Sequence, residues 1–207
     1  MASAMIHIVI ANELNKNLNR DKSKLLIGTI APDIAKFIGE SRIKTHFSRK
    51  DDVSTPDLDK FLNKYKNNLD DDFVMGYYIH LYVDYLWFKY FMPEIYEDGM
   101  IRKLNGEIIK CTEKEAFKYI YSDYTNLNIE LIDEYDIDLK MFYNDLPEFN
   151  NIIEEIPMDK LKLIVDEMGI IIENTKVKKD MIFDINNINK FIKLCVDIIY
   201  SDIIKSI

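Results

Sequence analysis

Apolar positions recur at helical spacing through most of this chain, and few stretches alternate strictly. Residues 4 to 18 place His7, Ala11, Leu14 and Leu18 on one predicted face. An apolar run, Leu25 to Ala31, is broken by Gly28 and Pro32 and predicts a short helix or turn that presents Asp33. Residues 39 to 54 are polar and irregular and carry His46. Thr55-Pro56-Asp57 reads as the start of a helix over about 56–67. The strongest helical pattern runs from 71 to 92, with Phe73, Tyr77, His80, Asp84, Trp87, Phe88 and Phe91 along one face and Pro93 as its stop. Asn105-Gly106 predicts a small hairpin over 101–110. Thr112 and Glu115 form a capping-box pattern that opens a helix to about 135. Pro147 and Pro157 each mark a predicted helix start, and a last helix is expected over about 187–206.

The expected class is therefore all-α, as one domain over residues 1–207. Residues 1–111 form its core and residues 112–207 a C-terminal helical layer whose role the pattern does not give. Only six glycines and five prolines in 207 residues agree with long helices rather than many short strands. The net charge of −9 disfavours duplex nucleic acid, which needs clustered Lys and Arg. No apolar run approaches membrane-spanning length, and the start lacks the basic segment of a signal peptide. Cys111 and Cys195 have no close partner in sequence, which fits a reduced, cytoplasmic compartment.

The chemistry lies in the three histidines, His7, His46 and His80. His80 and Asp84 stand four apart on a helix, so imidazole and carboxylate share a face. A carboxylate among aromatic residues is costly unless paired, and a divalent ion would pair it. A buried His–Asp ion pair would serve equally, so this spacing alone leaves both readings open. Arg42, Lys44 and Arg49 flank His46 and would suit a phosphate, or else be solvated loop charges. Tyr77 and Trp87 either line a pocket beside the motif or belong to the core.

The order of five positions resembles the zinc-dependent phospholipase C family, which is related to the single-strand-specific zinc nucleases. The resemblance rests on an early His7, the Gly28-x-x-x-Pro32-Asp33-Ile34 segment, His46-Phe47, and the helical His80-x-x-x-Asp84. The run Gly76-Tyr-Tyr-Ile-His-Leu-Tyr-Val-Asp-Tyr-Leu-Trp87 is similar to the short bacterial members, and the likeness covers about the first 92 residues.

The resemblance implies a helical bundle of that type and a metal held by Asp33, His46, His80 and Asp84. A second ion would use His7, with Asp84 bridging. In the family an N-terminal amine completes that second site; with Met1 retained, water or a backbone carbonyl takes its place. The family's third ion needs downstream histidines. Tyr90 stands at the first of those positions and no histidine follows His80, so one or two ions are expected. Zinc is the implied metal, and iron or manganese would accept the same donors.

The function so implied is hydrolysis of a small phosphoester or phospholipid headgroup, with Asp33 also as general base. The alternative is a non-catalytic, metal-stabilised binding or interaction protein derived from such an enzyme. No adjacent His-Asp pair occurs, which disfavours the other all-helical phosphohydrolase family built on that dipeptide.

Overall fold

The computed structural model describes residues 1–173 and 182–206. Among these, ten α-helices and one small sheet follow in the order α1 (Ala4–Leu18), α2 (Lys22–Gly28), α3 (Ala35–Ile38), α4 (Arg42–Thr45), α5 (Leu58–Tyr65), α6 (Asp72–Leu86), α7 (Met92–Ile95), β1 (Tyr96–Glu97), β2 (Met100–Arg102), β3 (Ile108–Lys110), α8 (Glu113–Glu134), α9 (Leu161–Glu173) and α10 (Ile185–Ser206). The molecule is mostly helical, compatible with the expected all-α class. No described helix is long and apolar enough to cross a membrane.

Side-chain caps start the main helices. Ser3 accepts from Ile6 N–H at α1, Asp21 from Lys24 at α2, and Asp71 from both Phe73 and Val74 at α6. Thr112 and Glu115 close a full capping box at α8, as their spacing predicts. At α5 the cap is Asp57, so Pro56 lies just outside the helix rather than within its first turn. Asp184 and Asn187 exchange backbone-to-side-chain bonds at the start of α10, which begins at Ile185, ahead of the expected 187.

α1 and α6 are central, and each is buried almost all round rather than on one stripe. Met5 through Asn12 are buried on α1, and Phe73 through Asp84 on α6. α1 packs against α2, α6, α8 and α10, so its far sides need apolar residues too. The single faces expected from periodicity are therefore incomplete.

α2 and α6 cross with their backbones in contact. A Cβ on Gly28 would lie 2.2 Å from the Phe73 carbonyl oxygen, and a Cβ on Gly76 would lie 2.1 Å from that of Leu25. No side chain fits at either position. The crossing brings the end of α2 against the middle of α6, where the chemistry sits.

Pro93 does not end the motif helix. Trp87–Phe91 form a π-turn, in which Met92 N–H bonds Trp87 carbonyl, and α7 continues with Pro93 in its first turn. The wider turn removes the clash between a proline ring and the carbonyl four residues earlier. Pro147 begins no helix, since residues 145–153 have no regular structure, and Pro157 precedes a 3-10 turn that leads into α9. The expected hairpin is present, pairing Ile101 with Ile109, and β1 adds a third antiparallel strand.

Within the C-terminal half, α8 is tied to the segment ahead of α10 through Asp123, which is fully buried. One of its oxygens accepts from the backbone N–H of Ile182 at 2.7 Å and of Phe183 at 3.3 Å. Phe183 in turn packs on Trp87 and Phe91. Asp123→Ala leaves two amides without that acceptor and is expected to cost about 2 kcal/mol, read as a lower urea midpoint.

Candidate metal centre

Four elements bring the five expected residues to one place. His7 comes from α1, and Asp33 from the 3-10 turn Ala31–Ile34, whose start is fixed by Pro32. His46 is the C-cap of α4, and His80 and Asp84 lie one turn apart on α6. All five are buried.

His46 is aimed inward by its neighbours. Thr45 Oγ1 lies 2.9 Å from its Nδ1, and the Tyr77 hydroxyl donates to the Thr45 carbonyl. Phe47 adopts a left-handed backbone, φ 57°, which costs about 1–2 kcal/mol for a residue with a Cβ. Edge-to-face packing on Phe61 at 5.1 Å and contacts with Tyr65 and Tyr77 hold it there. The His-Phe pair thus points one ring into the polar centre and the other into the aromatic core. Tyr77 and Trp87 are core residues, fully buried.

Distances within the cluster are short. His46 Nε2 is 3.1 Å from His80 Nε2, 3.7 Å from Asp33 Oδ1 and 3.8 Å from Asp84 Oδ2. His80 Nε2 is also 3.8 Å from Asp84 Oδ2. His7 stacks on His80 with ring centroids 4.0 Å apart, and its Nε2 is 3.4 Å from Asp84 Oδ1. Two sets of donor atoms lie close enough to hold a metal ion: His7, His80 and Asp84, and Asp33, His46 and His80.

The protons can be placed by donor counting. His80 Nδ1 is 2.8 Å from the Thr29 carbonyl, which can only accept, so Nδ1 carries the hydrogen and Nε2 a lone pair. Arg42 Nη1 is 2.7 Å from His46 Nε2; a guanidinium can only donate, so this nitrogen also carries a lone pair. Burial lowers His80 to about 4 and His46 well below its usual value, so both rings are neutral. Two nitrogens that each carry a lone pair therefore lie 3.1 Å apart, that of His46 taken up by Arg42. Burial pushes the Asp84 carboxyl up, but Arg42, His7 and His80 outweigh it and hold the group well below the ordinary range.

Ligands on a transition ion stand about 2.0–2.2 Å from it and hence roughly 3–4 Å from one another. The separations in this cluster match that spacing. His80 also shows the arrangement common in metal-bound imidazoles, with its other nitrogen fixed by a backbone carbonyl.

The three basic residues around His46 have separate fates. Arg42 turns into the cluster and bonds Asp84 Oδ2 at 2.7 Å. Lys44 is exposed and faces Glu40, and Arg49 is exposed beside Asp51. Only Arg42 belongs to the site. Its position four residues before His46 on a helical turn was the available signal. Tyr90, at the position of the family's third-site histidine, is exposed on the π-turn.

The N-terminal segment closes the centre. Ala2 N–H donates to Asp84 Oδ1 at 3.1 Å, and Tyr124 of α8 donates to the Met1 carbonyl. Burial lowers the Met1 amine to about 6. Beside it opens a pocket of about 310 Å³, lined by Met1, Ala2, Asp33, Tyr121, Tyr124 and Asn128 among others, with the exposed Lys36 at its edge. No family model, curated protein or solved structure matches the chain.

Proposed function

We propose that the chain is a metal-dependent hydrolase of a phosphoester, of the zinc-dependent phospholipase C kind, with a reduced site of one or two ions. The observation that carries this reading is the convergence of His7, Asp33, His46, His80 and Asp84 into two overlapping buried donor sets, with the His46 and His80 nitrogens 3.1 Å apart among two carboxylates. Zinc suits these nitrogen and oxygen donors, and iron or manganese would accept them as well. A bound divalent ion would supply Lewis-acid polarisation of a phosphoryl oxygen.

The chain's own residues would do the rest. Asp33 lies at the pocket wall with an oxygen 3.7 Å from His46 Nε2, so it can accept a proton from water entering there. Lys36 at the edge would meet a phosphate charge. Met5, Ile8 and Met168 on the walls would receive an apolar part of the ester and exclude water from it.

The second reading, a metal-stabilised protein without catalysis, is favoured by one observation: Arg42 already bonds two of the donor groups.

The test begins with His80→Ala, because His80 belongs to both donor sets. Protein purified without chelator is expected to carry a transition metal by elemental mass spectrometry, and His80→Ala to carry essentially none. Metal-loaded wild type should cleave an aryl phosphodiester or phosphatidylcholine, while Asp33→Asn loses turnover and retains metal. Metal without turnover on any of these esters selects the second reading. Absence of metal from wild type, even after incubation with zinc or manganese, overturns both.

A further inference from the structure

We infer that the pocket beside Asp33 selects an ester whose phosphate carries one compact aromatic group, and that it excludes diacyl lipids. This rests on the hydrolase reading above and narrows its substrate class. It also gives the C-terminal helices a role, because α8 and α9 supply the selecting wall.

Size is the first argument. The pocket holds about 310 Å³, at the small end of the roughly 300–1,000 Å³ of small-molecule sites. At about 30 Å³ per water molecule, that is room for about ten water-sized groups. A glycerol backbone with two fatty chains is several times larger. Its chains would trail into solvent, where they bury no apolar surface and contribute no affinity.

The wall is the second argument. Tyr121, Tyr124 and Asn128 line the pocket at i, i+3 and i+7 of α8, which is one stripe of that helix. The two rings meet at 77° with centroids 5.7 Å apart. The Tyr124 hydroxyl is committed to the Met1 carbonyl, which fixes its ring, while Tyr121 keeps 51 % of its surface open. Met5 of α1 and Met168 of α9 add polarisable thioethers, which suit a ring edge. A rigid flat group entering such a space loses less freedom than a flexible chain does. Asn128 is buried and adds a carboxamide with donors and an acceptor, the complement of a heteroaromatic edge. Asp33 and Lys36, three residues apart, line the same pocket and mark the end where the phosphate lies.

The experiment is calorimetric titration of protein incubated with zinc, with circular dichroism to verify the fold of each variant. The probes are phenylphosphonate, adenosine 5′-monophosphate, and dihexanoylphosphatidylcholine below its micellar concentration. The carbon–phosphorus bond of phenylphosphonate resists hydrolysis, so binding is read apart from turnover. Both aromatic probes should bind about tenfold or more tightly than the lipid. Tyr121→Ala should weaken both about tenfold, the loss expected for a stacking partner. Met168→Trp fills the pocket and should abolish binding while elemental analysis shows metal retained. In Asn128→Ala, weaker binding of adenosine 5′-monophosphate alone supports a nucleotide as the source of the ring, and unchanged binding of both supports a plain aryl ester. Lipid bound as tightly as the aromatic probes, or unchanged affinities in folded Tyr121→Ala, would overturn the inference and leave the hydrolase reading intact. Aromatic probes bound by protein that takes up no metal would sink the hydrolase reading and leave the pocket assignment standing. If Met168→Trp does not fold, Tyr121→Ala decides alone.

Discussion

Gly76→Ala is expected to cost about 4 kcal/mol or more, a large share of the stability of a domain. The added methyl would sit 2.1 Å from the Leu25 carbonyl oxygen and 3.0 Å from Thr29 N, and both neighbours are backbone. A flexible side chain could swing aside; a helix must move as a body. Moving α2 away also breaks the 2.8 Å bond from His80 to the Thr29 carbonyl, four residues beyond the Leu25 contact. Urea unfolding followed by circular dichroism should show a much lower midpoint or no folded baseline. A midpoint equal to wild type would mean that the two helices can separate freely and that their contact does not fix the site.

Asp84→Ala is the second large effect. This carboxylate is fully buried and receives Arg42 at 2.7 Å and the Ala2 amide at 3.1 Å. Removing it strands a guanidinium that is only 25 % exposed on its side chain, and leaves a buried N–H unpaired. Breaking a buried pair costs about 3–5 kcal/mol; the partial exposure of Arg42 puts the expectation near 3. Asp84→Asn keeps the shape and an oxygen for Ala2, so it should cost less. Under the proposed function both variants lose bound metal, which separates charge from packing. Unfolding midpoints and elemental analysis on the same preparations provide the check. An Asp84→Ala protein as stable as wild type would show that Arg42 is adequately solvated without its partner.

The residues of the centre were legible in the sequence because each carries an unusual pairing of chemistry and context. His80 and Asp84 stand four apart amid aromatic residues, and Asp33 follows a proline at the end of an apolar run. α8 was legible from its capping box, because that signal is local. What was not legible depends on contacts distant in sequence. Arg42 reads as a loop charge until Asp84, 42 residues away, is placed against it. The all-round burial of α1 follows from having α2, α6, α8 and α10 as neighbours, which no window of its own residues reveals. Pro93 misled because a stop is the ordinary effect of proline, and the π-turn that admits it has no signature among aromatic residues. Pro147 misled in the opposite sense, since proline also suits extended chain.

The π-turn has a further implication for how the two halves of the chain are phased. An α-helix turns by about 100° per residue, so one surplus residue at Trp87–Phe91 rotates everything after it relative to His80 and Asp84. Trp87 and Phe91 stack within this turn, and both meet Phe191 of α10 and Phe183 ahead of it. The surplus residue works as a phase adjuster: upstream it leaves α6 with His80 and Asp84 undisturbed, and downstream it sets the angle at which the chain leaves toward β1 and α8. Losing a single residue there would leave the composition almost unchanged while misaligning the C-terminal helices with the centre they cover.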